Sequence, residues 1–123
     1  KPGTKSEAMI ELIDIYPTLT DLAGLEAPNH LQGTSLRPLL GHPERLGKKK
    51  YAYSVVTRGP KNLGYALRNQ NWRYGKWPDG EELYNLRSDP QEKNNLAQKE
   101  HFKDRLDVFR KALTRQQELI QQN

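Results

Sequence analysis

The chain has 123 residues, of which 34% are apolar and 28% charged, with no cysteine. An average globular chain carries roughly 45–50% apolar residues with glycine counted in, so a thin core that leans on a neighbour is expected, and disulfides, thiolate metal sites and a cysteine nucleophile are excluded. The net charge of +5 is uneven, because ten Lys/Arg between Arg37 and Lys76 face Glu44 alone, leaving +9 there and −4 elsewhere. In chain order, the first six residues read as an irregular entry. Residues 8–13 (Ala-Met-Ile-Glu-Leu-Ile) are apolar and β-prone and predict a short strand. Asp14 is expected to cap a helix over Ile15–Ala23, with Pro17 in its first turn and Gly24 as its left-handed stop. Leu25 to Gly33 is a loop by composition, and Ser35 is expected to cap a short helix through Leu36–Leu40.

From Tyr51 the period changes to two. Strands are predicted over Tyr51–Thr57, Leu63–Arg68, Trp72–Trp77 and Glu82–Leu86, joined by short polar or Gly/Pro turns that favour an antiparallel meander. The third strand is read as carrying one aromatic face. Beyond Glu100, the residues Phe102, Leu106, Phe109, Leu113 and Ile120 recur near helical spacing and predict an amphipathic helix over His101–Gln121. Asp107 and Lys111 are placed as an i,i+4 pair on it. The economical architecture is α+β: a four-stranded antiparallel sheet with the terminal helix packed across one face.

No catalytic constellation emerges. Ser54, Thr57 and Ser88 lack the context of an activated nucleophile. Glu81/Glu82 and Asp104/Asp107 read as solvated charge, while Asp79-Gly80 and Asp89-Pro90 read as turn chemistry. His30, His42 and His101 are too scattered for a zinc site by spacing. The aromatics Tyr51, Tyr53, Tyr65, Trp72, Tyr74 and Trp77 fit core packing better than a stacking platform for single strands. The run Lys48-Lys49-Lys50 reads as a solubility feature. Arg58, Lys61 and Asn62 fall in a polar loop between strands, where an arginine suits bidentate binding of sulfate, carboxylate or phosphate oxygens. The basic block as a whole admits nucleic acid, anionic glycans or an acidic partner surface, or a solvated face with no ligand.

Four phrases in order carry a family resemblance. Glu11-Leu12-Ile13-Asp14-Ile15-Tyr16-Pro17-Thr18-Leu19 with Leu22-Ala23-Gly24-Leu25 resembles a segment of type I sulfatases, and Leu31-Gln32-Gly33-Thr34-Ser35-Leu36-Arg37-Pro38-Leu39-Leu40 resembles the segment that follows it. Gly64-Tyr65-Ala66-Leu67-Arg68, leading to Trp72-Arg73-Tyr74 and Trp77, is similar to iduronate-2-sulfatase-like members. Glu82-Leu83-Tyr84-Asn85-Leu86 with Ser88-Asp89-Pro90-Gln91-Glu92 and Asn95-Leu96-Ala97 resembles their tail.

The resemblance implies the C-terminal part of a formylglycine-dependent sulfatase of the alkaline-phosphatase-like superfamily. Residues 1–47 would trail from the N-terminal α/β domain, and 48–123 would form the C-terminal subdomain. The whole protein would hydrolyse sulfate esters of a glycan, using calcium and a formylglycine made from Cys or Ser in a C/S-x-P-S-R motif. It would be periplasmic or secreted. No catalytic or metal residue is assigned to this chain, which is expected to be inactive alone. Arg58, in the loop after Ala52-Tyr53-Ser54, is the leading substrate-recognition residue, followed by Lys61 and His30. The expected partners are the N-terminal sulfatase domain and a sulfated glycan, with neither nucleic acid nor a membrane span. A free-standing basic module for polyanions is the alternative.

Overall fold

The structure, a computed structural model, describes residues 2–57, 59 and 63–121 and divides into two compact units, residues 1–52 and 53–123. The sheet is built from β1 (Ala52–Thr57), β2 (Leu63–Arg68), β3 (Trp72–Trp77) and β4 (Gly80–Asn85), side by side in chain order and antiparallel. β2 and β3 have the bounds read from the sequence, because Asn69 holds their turn: its carboxamide oxygen accepts from the Asn71 and Trp72 amides at 3.0 and 2.8 Å.

Register fixes what each face carries. Leu67, Tyr74 and Leu83 lie in one row across β2, β3 and β4. The long helix Lys103–Gln121, preceded by a 3-10 turn over Glu100–Phe102, lays Leu106, Phe109 and Leu113 on this unit's core. These six side chains are essentially hidden from water, each worth roughly 1.5–3 kcal/mol of transfer free energy. The Tyr74 and Phe109 rings meet at 5.9 Å, and Trp72 meets Phe102 at 5.9 Å. Ile120, expected on the stripe, is exposed at the helix's end. The helix's acid–base pair is Asp107 with Arg110, at 2.9 Å, rather than with Lys111.

The opposite sheet face carries the rows Ala66–Gly75–Glu82 and Arg68–Arg73–Tyr84. Trp77 belongs to this face, so β3 is aromatic on both sides, contrary to the single aromatic face expected. Gly64 makes room for it, since a Cβ there would sit 2.3 Å from the indole. The segment after β4 closes the sheet edge. Leu96 donates its amide to the Leu83 carbonyl at 2.8 Å, and the Asn95 carboxamide takes the Leu83 amide at 3.0 Å.

In the first unit, residues 8–11 form no strand, and Leu12–Asp14 is a 3-10 turn leading into α1 (Ile15–Leu22). The physical reason is local. The Glu11 amide bonds the Asp14 carboxylate at 2.8 Å and the Asp14 amide bonds the Glu11 carbonyl at 3.0 Å, which curls the chain. Asp14 therefore does not cap α1 with its side chain. Gly24 ends the helical region in the left-handed conformation, φ 68°. α2 runs Arg37–Gly41, one residue later than expected. Ser35 accepts the Arg37 amide at 3.2 Å while donating its hydroxyl to Asp21 at 2.5 Å. The terminal helix Lys103–Gln121 is α3.

Candidate functional site

The residues proposed for recognition are not gathered by the described structure. Arg58, Lys61 and Asn62 lie outside the described residues, and His30 is exposed in a turn of the first unit. Ser54 and Thr57 are exposed on β1, and the Ser88 hydroxyl lies 3.5 Å from the Asn85 carbonyl. Asp89 does act as a turn residue, accepting the Asn94 amide at 2.8 Å. Among the described residues no group of three His, Asp or Glu side chains converges in a way that could hold a metal ion.

What the structure does gather is paired charge. Four of the ten basic residues in that third of the chain, Arg37, Lys49, Arg68 and Arg73, face carboxylates from outside it. Lys49, read as a solubility residue, instead inserts its ammonium between Glu11 and Asp14, 2.7 Å from Asp14 Oδ1 and 2.9 Å from Oδ2. Asp14 is fully buried and also accepts the Thr34 amide at 2.8 Å. Burial alone would raise its pKa, but Lys49 and the Thr34 and Glu11 amides outweigh that and hold it below the usual carboxylate range. Burial alone would lower the Lys49 pKa, but its contacts with the Asp14 and Glu11 carboxylates outweigh that and raise it. Thr18, also buried, donates to the Asp14 carbonyl at 2.5 Å and accepts the Leu36 amide at 2.9 Å. Arg37 pairs with Asp21 at 2.8 Å.

In the second unit, Arg68 and Arg73 stand directly opposite each other, an unfavourable cross-strand pair. Glu92 relieves it, reaching Arg73 at 2.6 Å and Arg68 at 4.0 Å from a left-handed backbone, φ 54°. Glu82 adds a second carboxylate 3.7 Å from Arg73, and the guanidinium lies 5.7 Å from the centre of the Tyr84 ring. Glu81, expected as solvated charge, is instead the hub that ties α3 to the sheet. It accepts the buried Tyr74 hydroxyl at 2.5 Å and a two-pronged contact from Arg110. Arg110 and Tyr74 outweigh burial and hold the Glu81 carboxyl at about 2, while burial and Glu81 push Tyr74 well above the usual phenol range. Sequence reasoning missed these hubs because isolated acids and a lysine run carry no periodic signal. Arg45, Lys48, Lys50 and Lys76 remain exposed. Among the described residues, they are the part of the basic block still able to attract an anion.

These features define a small α+β fold whose phrases build hydrogen-bonded hubs: Asp14 and Thr18 in the first phrase, Thr34 and Ser35 in the second, Glu92 and Asn95 in the last. Residues 1–119 match the family described as N-sulphoglucosamine sulphohydrolase, C-terminal, and the chain belongs to that family of sulfatase C-terminal regions. A sulfatase of Formosa agariphila is 35% identical over 112 residues, covering 90% of this chain and 21% of that protein. The solved structure of BT4656 in complex with its substrate D-glucosamine-2-N,6-O-disulfate superposes with a TM-score of 0.89 at 27% identity, over 100% of this chain and 27% of the other. That of BT1596, a 2-O GAG sulfatase, gives a TM-score of 0.73 at 31% identity, over 82% and 23%. The chain thus spans about a fifth of the length of the curated relative. No helix among the described residues is long and apolar enough to cross a membrane.

Proposed function

We propose that the whole protein hydrolyses sulfate esters of a sulfated glycan, in the manner of iduronate-2-sulfatase-like enzymes, and that this region supplies scaffold and part of the substrate-pocket rim. The observation that carries the reading is the family match over residues 1–119, joined to a likeness over the full chain to a structure holding a sulfated glucosamine. The 2-O GAG sulfatase among the neighbours supports a sulfated glycan as the substrate. On this reading residues 1–47 trail from the N-terminal domain, residues 48–123 form the C-terminal subdomain, and the protein is periplasmic or secreted.

Calcium and a formylglycine are the cofactors this reading implies, supplying charge stabilisation and the nucleophile. The residues present do not fit them: the chain has no Cys/Ser-x-Pro-Ser-Arg motif and no convergent set of metal-binding side chains among the described residues. Both therefore belong to the remainder of the protein. This chain's own part is binding. Arg58 would present a planar fork to sulfate or uronate oxygens, with Lys61 and His30 as further rim donors. A free-standing polyanion module is the weaker reading, because Arg37, Lys49, Arg68 and Arg73 already face carboxylates within the chain.

The test is Arg58→Ala in the whole protein. Loss of a charge-assisted contact to the glycan lowers kcat/KM on the sulfated oligosaccharide by about tenfold or more. Turnover of a small aryl sulfate changes far less. Equal losses on both substrates would remove the rim role, and aryl-sulfate turnover by the 123-residue chain with calcium would remove the assignment of the chemistry to the remainder.

A further inference from the structure

The sheet face turned away from α3 carries a shallow depression with almost no side chains on its floor. Gly64, Ala66 and Gly75 form that floor, and Val56, Arg73 and Trp77 stand around it. The six-membered ring of Trp77 covers Gly64, where a Cβ would sit 2.3 to 2.6 Å from three ring carbons. The indole nitrogen lies 3.7 Å from the place a Cβ would take on Gly75. The indole thus spans a glycine on β2 and another on β3, and it remains partly exposed. Beside it, Arg73 lies 3.7 Å from Glu82 and 2.6 Å from Glu92, which in turn lies 4.0 Å from Arg68. All four of these side chains are at least partly exposed. A guanidinium has five donors and a carboxylate about four acceptor sites, so these ion pairs leave hydrogen-bonding capacity of both kinds.

We propose that this face is a subsite for an uncharged pyranose residue of a glycan, with Trp77 as the stacking platform and Arg73, Glu82 and Glu92 as the hydroxyl-binding edge. A pyranose presents C–H groups on its faces and hydroxyls around its rim, each hydroxyl both donor and acceptor. The flat indole matches the first and a guanidinium between carboxylates the second. Gly64 and Gly75 keep side chains out of the space in which the ring and a ligand approach the backbone. Charge decides against other occupants. The charges of Arg68, Arg73, Glu82 and Glu92 cancel, so a nucleic-acid strand or a sulfate group gains no net attraction there. An apolar protein surface would have to strip water from these same charged groups without replacing its hydrogen bonds. A saccharide replaces them. The subsite stands on this geometry; that its sugar is a neighbour of the sulfated residue rests on the sulfatase reading. Gly64, under the indole, follows Leu63, the first residue of β2 after the stretch that carries Arg58.

The test is calorimetric binding of an uncharged N-acetylglucosamine tetramer to the whole protein, unsubstituted and as Trp77→Leu and Gly75→Ala. Trp77→Leu keeps apolar cover over Gly64 and removes the ring. Gly75→Ala raises the floor, its Cβ lying 3.2 Å from Glu82 Oε2, the flexible end of a side chain, so the sheet accommodates it. The unsubstituted protein is expected to bind equally at low and high salt. The Kd should rise about tenfold in Trp77→Leu and about threefold or more in Gly75→Ala. No binding by the unsubstituted protein, or an unchanged Kd in either variant, overturns the subsite. So does binding that weakens steeply with salt, since charge rather than hydroxyls is then recognised. Aryl-sulfate hydrolysis is measured on the same unsubstituted sample. The expected binding pattern without hydrolysis removes the sulfatase reading and supports the subsite, whereas hydrolysis without binding removes the subsite alone.

Discussion

Residues 53–123 hide Leu67, Tyr74, Leu83, Leu106, Phe109 and Leu113 and keep most of their charge outside. Residues 1–52 do the reverse, hiding Asp14 and Thr18 while Leu12, Ile15, Leu19 and Leu22 face outward. The contrast separates two ways of holding a chain. The second unit is held by apolar burial, which is non-directional and tolerant of small shifts. The first is held by directed hydrogen bonds to one carboxylate, which impose geometry but supply little net free energy once desolvation is charged against them. The first unit therefore has its shape set chiefly by the partners of one buried carboxylate, the second by six buried apolar side chains.

The largest expected effect sharpens the apolar side of that contrast. Phe109→Ala opens a cavity beside Tyr74 and should cost about 3–5 kcal/mol, read as a lowered urea midpoint for residues 53–123. A loss under about 1 kcal/mol would mean the sheet–helix core is not what holds the unit. Next, Lys49→Met leaves the buried Asp14 carboxylate without its cation and should cost about 3 kcal/mol, read by faster amide exchange at Glu11, Asp14 and Thr34. Unchanged exchange there would refute the polar hub. The smallest effect concerns acid. Glu81 has a folded pKa of about 2 against an ordinary 4.5, so its contribution is complete above about pH 4.5 and is lost as pH falls towards 2. With Arg110 partly in solvent, that contribution is about 1–2 kcal/mol, and Arg110→Ala should flatten the acid slope of the unfolding free energy.

The second unit was legible because its signals are periodic. Alternation in Leu63–Arg68 and Trp72–Trp77, bounded by Asn69-Gln70-Asn71 and Pro78-Asp79-Gly80, set those strands correctly, and helical spacing placed α3 to within two residues at its start. The first unit misled for a physical reason. An apolar run at residues 8–13 looks like a strand because outward-facing apolar residues carry the same pattern as inward-facing ones. Its actual conformation is set by Asp14, whose partners Thr34 and Lys49 are 20 and 35 residues away. Gly33 is similarly opaque in sequence: it reads as a loop glycine, yet a Cβ there would lie 2.0 Å from the Ile13 carbonyl oxygen. Of the recognition residues, only His30 could be placed, and the chemistry of Arg58 and Lys61 was read from residue type and resemblance alone.

The Lys49 clamp has a further consequence in a chain without cysteine. By joining Glu11 and Asp14 to a residue 38 and 35 positions later, it closes a loop of the length that a disulfide would close. Unlike a disulfide, the closure is indifferent to reductants and sensitive to charge. Acylation of one amine would open it, so the integrity of the first unit is set by the state of a single lysine rather than by the redox poise of its surroundings.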